Sequence, residues 1–267
     1  MNAPHAYIIL GASGSGRRSV LADLIGNGLD DAARPVLLTA ASETPAPDAV
    51  AALLEGMPSL VQGTWTMTDG RVAGAAVPEG ATHVFIVADG RANPVDQVEA
   101  LHGWFPSAGL ELGRIITVVS CRLASTHPEL QRWYDACVHF SDVVLLSQRD
   151  DVSNKWVSDF IARYRKQHYP CLIELAKKSG MDNPALILEP QARRMSLLFD
   201  AEDTWSVSGD DATAVEDEVD DDDEDDNPSA DGVDDPDLIG EVDPYIERLA
   251  GSGRRAREIP DIRKFVS

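Results

Sequence analysis

The 267-residue chain is long enough for one sizeable α/β domain with extensions, and its net charge of −22 is local rather than general. Of its 45 acidic residues, 20 fall between Glu202 and Asp243; the other 25 face 23 Lys and Arg, so the rest of the chain stands near −2. That acidity argues against direct nucleic-acid binding, because phosphates would be repelled.

No apolar stretch approaches the ~20 residues needed to cross a bilayer. Met1–His5 lacks the basic start of a secretory leader. A cytoplasmic protein with no membrane contact is expected. Cys121, Cys137 and Cys171 lie in or beside apolar runs and form no C-x-x-C pair, so no disulfide framework is expected.

Over residues 5–175, apolar runs bounded by turn signals alternate with amphipathic stretches, which predicts an α/β fold with a mostly parallel sheet flanked by helices. The first strand, Ala6–Leu10, runs into Gly11-Ala-Ser-Gly14-Ser-Gly16-Arg17-Arg18-Ser19 and then a helix over Arg17–Gly28. In such a turn the glycines let the backbone wrap an anion, while its N–H groups and the helix N-terminus supply a positive field.

The P-loop pattern Gly-x4-Gly-Lys-Ser/Thr is almost met. Arg17 stands in the lysine place and Arg18 in that of the magnesium-binding hydroxyl. Ser19 comes one residue later, about 100° further round the helix. Gly11, Gly14, Ser15, Gly16, Arg17, Arg18 and Ser19 are therefore the candidate phosphate-binding residues. The competing reading is a βα turn whose glycines serve packing alone.

Next come a strand at Pro35–Thr39, a helix at Pro47–Leu54 and a hairpin over Leu60–Val77 turning at Thr68-Asp69-Gly70. The strand His83–Ala88 ends in Asp89-Gly90, which would aim a carboxylate at Mg²⁺ and makes Asp89 the candidate catalytic residue. An Asp-Gly pair is equally a common strand-ending turn. A helix at Pro94–Trp104, a central strand at Arg114–Ser120 and a helix at Pro128–Phe140 follow.

The strand Asp142–Ser147 then leads into Ser147-Gln148-Arg149-Asp150, where many GTPases carry Asn-Lys-x-Asp to read guanine. Ser147, Gln148 and Asp150 are the candidate base-side residues, with helix capping as the alternative for Asp150. A helix at Ser153–Gln167 and a strand at Pro170–Leu175 complete the alternation.

The phosphate loop, the Asp89-Gly90-Arg91-Ala92-Asn93-Pro94 run and Ser141–Asp151 together resemble the CobW-type GTPases, metal-handling relatives of the nickel chaperones for urease and hydrogenase. The resemblance implies a P-loop NTPase fold over about residues 5–175, GTP as ligand with Mg²⁺, and a part in metal delivery or homeostasis. It is a degenerate likeness. That family's Cys-x-Cys-Cys metal site would fall at Gly63–Met67, where there is no cysteine, and the six histidines show no ligand spacing. No metal-ligating residue is therefore named.

Three segments are expected: a P-loop NTPase-like domain over 1–200, an acidic disordered linker over 201–242, and a short basic and apolar motif over 243–267. Two functions follow from this reading. One is a GTP-binding protein with weak or absent hydrolysis. The other is an inactive pseudo-GTPase that serves as a scaffold, with a protein partner bound through the acidic tail or the C-terminal motif.

Overall fold

The computed structural model describes residues 3–43, 45, 48–57, 59–177, 180–200 and 243–266; the expected acidic linker lies outside them. The strands are β1 (His5–Leu10), β2 (Pro35–Ala40), β3 (Val61–Thr68), β4 (Arg71–Ala73), β5 (His83–Val87), β6 (Glu111–Ser120), β7 (Val143–Ser147) and β8 (Leu172–Leu175). The helices are α1 (Arg17–Gly28), α2 (Asp48–Glu55), α3 (Pro94–Ala108), α4 (Cys121–Thr126), α5 (Gln131–Phe140), α6 (Asn154–Lys166) and α7 (Pro184–Leu188).

The eight strands form one sheet in the order β4-β3-β2-β5-β1-β6-β7-β8. All pairs are parallel except β3 with β4, the hairpin that turns at Asp69 and Gly70. The hairpin also joins the main sheet, because β3 runs parallel to β2 from Val36↔Val61 to Ala40↔Trp65. The chain passes from β1 out to β2 on one side and later from β5 across β1 to β6 on the other. The winding reverses at the C-terminal end of β1, which is where open α/β sheets place their ligands.

Both faces of the inner sheet are covered, so β1, β5 and β7 are apolar almost throughout rather than alternating, while β3 and β4 at one edge stay largely exposed. Ala6, Ile8 and Leu10 of β1 pack with Val98 and Leu101 of α3, Trp133 of α5 and Phe160 of α6. Tyr7 and Ile9 point the other way, onto Leu21, Leu24 and Ile25 of α1 and Leu188 of α7. Local chemistry starts the helices. Asn93 caps α3 ahead of Pro94, Ser120 caps α4, and Ser153 rather than Asp150 caps α6 by accepting from the Trp156 amide. All three cysteines are buried and free.

The C-terminal segment 243–266 packs on this body through buried Tyr245 and Ile262. Arg255 fastens it to α3, pairing with Asp96 and Glu99, while His139 of α5 meets Asp243 at 2.9 Å. Burial alone would raise the Asp243 carboxyl. Hydrogen bonds from His139, Ser196 and the Tyr245 amide outweigh it and hold the group at about 2.

A depressed carboxylate contributes stability above its unfolded value of about 4, and that contribution is lost as pH falls toward 2. Acid release of segment 243–266, followed by amide hydrogen exchange, is expected to begin below about pH 4 in the native chain. In Asp243→Asn this step should be blunted. Identical acid profiles for the two proteins would remove the carboxylate as the cause.

Candidate functional site

The glycine-rich loop leaves β1 at Leu10 and becomes α1 at Arg17, and each of its glycines is in the left-handed half of backbone space. Gly11 has φ +132°, Gly14 +78° and Gly16 +87°. At Gly11 the reason is also spatial: a Cβ there would run into the Val118 carbonyl oxygen of β6. At Gly14 and Gly16 an added Cβ would meet no atom of the described residues within 4 Å.

Partners from three directions hold the loop. The Ser13 amide donates to the Gly90 carbonyl at 3.0 Å, and the Ser15 amide to the Ala12 carbonyl at 3.1 Å. Gly90 must be glycine, since a Cβ would strike the Ser13 nitrogen and the Arg17 guanidinium. From the β7 side, Ser147 Oγ lies 2.8 Å from the Ser15 carbonyl oxygen, and Gln148 Nε2 donates to the Gly14 carbonyl at 2.7 Å. Ser120 Oγ donates to Gln148 Oε1 at 2.6 Å, which fixes that amide in its bracing position.

Two crevices open beside the loop. One, of about 720 Å³, is lined by Gly14, Gly16, Arg17, Arg18 and Glu43, and on its far wall by Phe265 of the C-terminal segment. The other, of about 740 Å³, is lined by Ser15, Gln148, Asp150, Met57 and Lys177. Gly16, Ser19 and Gln148 belong to both. The start of α1 has no side-chain cap and no acidic residue in its first turn. Its leading N–H groups and dipole therefore present an electropositive end. Ser15 Oγ, buried beside it, finds no hydrogen-bond partner among the described residues.

Arg17 does not extend freely into this space. It is buried, with Nη1 donating to the Ala88 carbonyl at 2.5 Å and Nη2 paired with the Glu43 carboxylate. Glu43 follows β2, and its carboxylate also accepts from Ser13 Oγ at 2.9 Å and from the Gly90 amide at 3.0 Å. Burial would raise the Glu43 carboxyl, but Arg17 and the hydrogen bonds of Gly90 and Ser13 overcome it and hold the group at about 2. The sequence reading did not single out Glu43.

The other candidates separate by place. Arg18 and Ser19 line the first crevice. Asp89 is turned aside: its carboxylate accepts from Ser42 Oγ at 2.7 Å and from the Arg91 amide at 2.8 Å, and Gln97 grips its backbone. Asp150 is exposed on the rim of the second crevice, which also contains Ala176 and Lys177, a short stretch after β8 that carried no recognisable signal in the sequence.

These donors suit a phosphate chain, through open glycines, an uncapped helix start and an orphaned buried hydroxyl. They do not suit a magnesium ion in its usual place. That ion ordinarily takes a hydroxyl at the residue after the loop lysine and an aspartate at the end of a neighbouring strand. Here those positions hold Arg18, a cation, and Asp89, already engaged. Among the described residues no group of three His, Cys, Asp or Glu side chains converges to hold a metal. No helix among them is long and apolar enough to cross a membrane.

The strand–glycine turn–helix unit at the reversal point of a mostly parallel sheet defines a P-loop-type α/β fold. No protein-family model and no curated protein matches the chain. Among solved structures it is similar to the Zn(II)-bound YjiA GTPase from E. coli, at 12% identity and a TM-score of 0.44 over 72% of this chain and 67% of that one. It is also similar to a Zn(II)-bound triple mutant of YjiA (13%, TM-score 0.43, 75% and 69% covered). A third is the cell division protein FtsY from Thermotoga maritima (16%, TM-score 0.41, 72% and 66% covered). Likenesses this distant carry no functional argument, and the function rests on the site itself.

Proposed function

We propose that this protein binds a nucleotide, with GTP or GDP as first candidates, by laying its phosphate chain along Gly14–Ser19, and that hydrolysis is weak or absent. The observation that carries this reading is the uncapped N-terminus of α1, opening beneath two unobstructed glycines onto a crevice of about 720 Å³ with Arg18 in its wall. Weak hydrolysis follows from the donor set. Phosphoryl transfer in this class works by positioning and charge neutralisation, and the hydroxyl and free aspartate that would hold Mg²⁺ are missing. In the second crevice Asp150 and Lys177 would face the base.

The runner-up is a scaffold that needs no nucleotide. What favours it is the closed Arg17–Glu43 pair, by which the loop satisfies its own principal cation. In that case partners would bind through the acidic tail or the C-terminal segment. Metal delivery, implied by the family resemblance, is left with no ligand cluster among the described residues to support it.

Isothermal titration of the full chain with GTP, GDP and ATP, with and without Mg²⁺, separates the two. The expected result is micromolar binding of a guanine nucleotide that survives removal of Mg²⁺, with no phosphate release above buffer. Arg18→Ala should weaken it about tenfold, or ~1.4 kcal/mol. Silence toward every nucleotide would leave the scaffold.

A further inference from the structure

Resting on the nucleotide reading above, we infer that the Glu43 carboxylate occupies the place of a terminal phosphate, so that the crevice takes a nucleoside diphosphate in preference to a triphosphate. In a phosphate loop the backbone amides cradle the inner phosphates, while the loop cation reaches the outer ones. Here the two tasks are split. The uncapped amides at the start of α1 face the crevice that Arg18 also lines. The cation at the lysine position, Arg17, has both ends of its fork engaged, one by the Ala88 carbonyl and one by Glu43.

Three donors from separate parts of the chain converge on that one carboxylate: the Arg17 guanidinium, the Ser13 hydroxyl and the Gly90 amide. A convergent set of a cation, a hydroxyl and a backbone amide is what an anionic phosphate oxygen would itself require. The site has therefore been supplied with its own anion. The Glu43 side chain is only 2% exposed, so it is held inside the loop's surroundings rather than resting on the rim.

The segment leading into it is pinned. The Glu43 amide donates to the Ala40 carbonyl at 2.9 Å, and the neighbouring Ser42 hydroxyl is tied to Asp89 at 2.7 Å. A third phosphate entering here would meet a buried like charge. It would have to expel Glu43 or stop short of Arg17, whereas two phosphates along Gly14–Ser19 would meet the uncapped start of α1 without displacing that carboxylate.

The test is titration of the full chain, in buffer without divalent cations, with GDP and with GTP. The native protein should bind GDP at least about tenfold more tightly than GTP. Glu43→Gln keeps the side chain's shape and removes its charge; it should bring the two affinities within about threefold, chiefly by tightening GTP. Should that variant melt too low to titrate, Ser13→Ala, which removes one donor to Glu43 and leaves Arg17 paired, should shift the ratio in the same direction.

Equal binding of GDP and GTP by the native protein overturns this inference and leaves nucleotide binding intact. A ratio that neither variant moves also overturns it. Failure of both nucleotides to bind any of the proteins removes the nucleotide reading, and this inference with it.

Discussion

Replacing Arg17 by alanine is expected to cost roughly 3–5 kcal/mol of folding stability, because it leaves the Glu43 carboxylate buried without its cation. In the native chain the two side chains are 4% and 2% exposed, so little water screens the pair. Ser13 and Gly90 would still donate to the carboxylate, but neither carries charge. The double replacement Arg17→Ala/Glu43→Ala should recover much of the loss, since no bare ion then remains. Urea melts of the native, single and double variants measure both the cost and the coupling.

The pH dependence should change sign between native and variant. With Glu43 held at about 2, the native pair contributes fully above the ordinary glutamate value of about 4 and weakens as pH falls toward 2. Without Arg17, burial pushes the Glu43 carboxyl upward, so this site's contribution in the variant should be greatest below the raised value and decline as pH rises. If Arg17→Ala loses less than about 1 kcal/mol at neutral pH, or keeps the native sign, the buried pair is not what closes the loop.

The second large effect is expected at Gly11. An alanine there must adopt φ +132° and drive its Cβ into the Val118 carbonyl oxygen, an atom fixed in the β6 ladder. Backbone strain of about 1–3 kcal/mol and overpacking of about 1–3 kcal/mol then act together. Two controls separate the contributions. Gly14→Ala, at φ +78° in open space, should show strain alone. Gly103→Ala, exposed within α3 and clear of neighbours, should be neutral or stabilising by up to about 1 kcal/mol through helix propensity. Three thermal melts ranked Gly11 ≪ Gly14 < Gly103 are the expected result; a Gly11→Ala protein as stable as Gly103→Ala would exclude the close approach of loop and β6.

The sheet was legible because its strands advertise themselves locally. Tyr7–Leu10, Phe85–Val87 and Val143–Leu146 are unbroken apolar runs, and burial on both faces is the reason they can be. The extent of α1 was legible for the same kind of reason, a glycine before it and one at its end. Short α4 and α7 escaped notice; each is little more than a single capped turn, and its packing rather than its composition keeps it helical.

Within the site, the loop glycines could be read because turn chemistry is local, whereas its bracing could not. Ser147 and Gln148 stood out as candidates facing a base, yet their side chains reach Ser15 and Gly14, more than 130 positions earlier. Glu43 has no motif around it. It matters only because β2 lies beside β5, and β5 beside β1, which brings the end of β2 within reach of Arg17.

The amino-acid sequence by itself therefore determined an α/β sheet with a glycine-built turn at its centre, since hydrophobic runs and left-handed backbone positions depend on neighbours a few residues away. Only the tertiary structure decided the charge state and reach of that turn. Which acid meets a buried guanidinium is set by strand order across the sheet, and no local spacing encodes it.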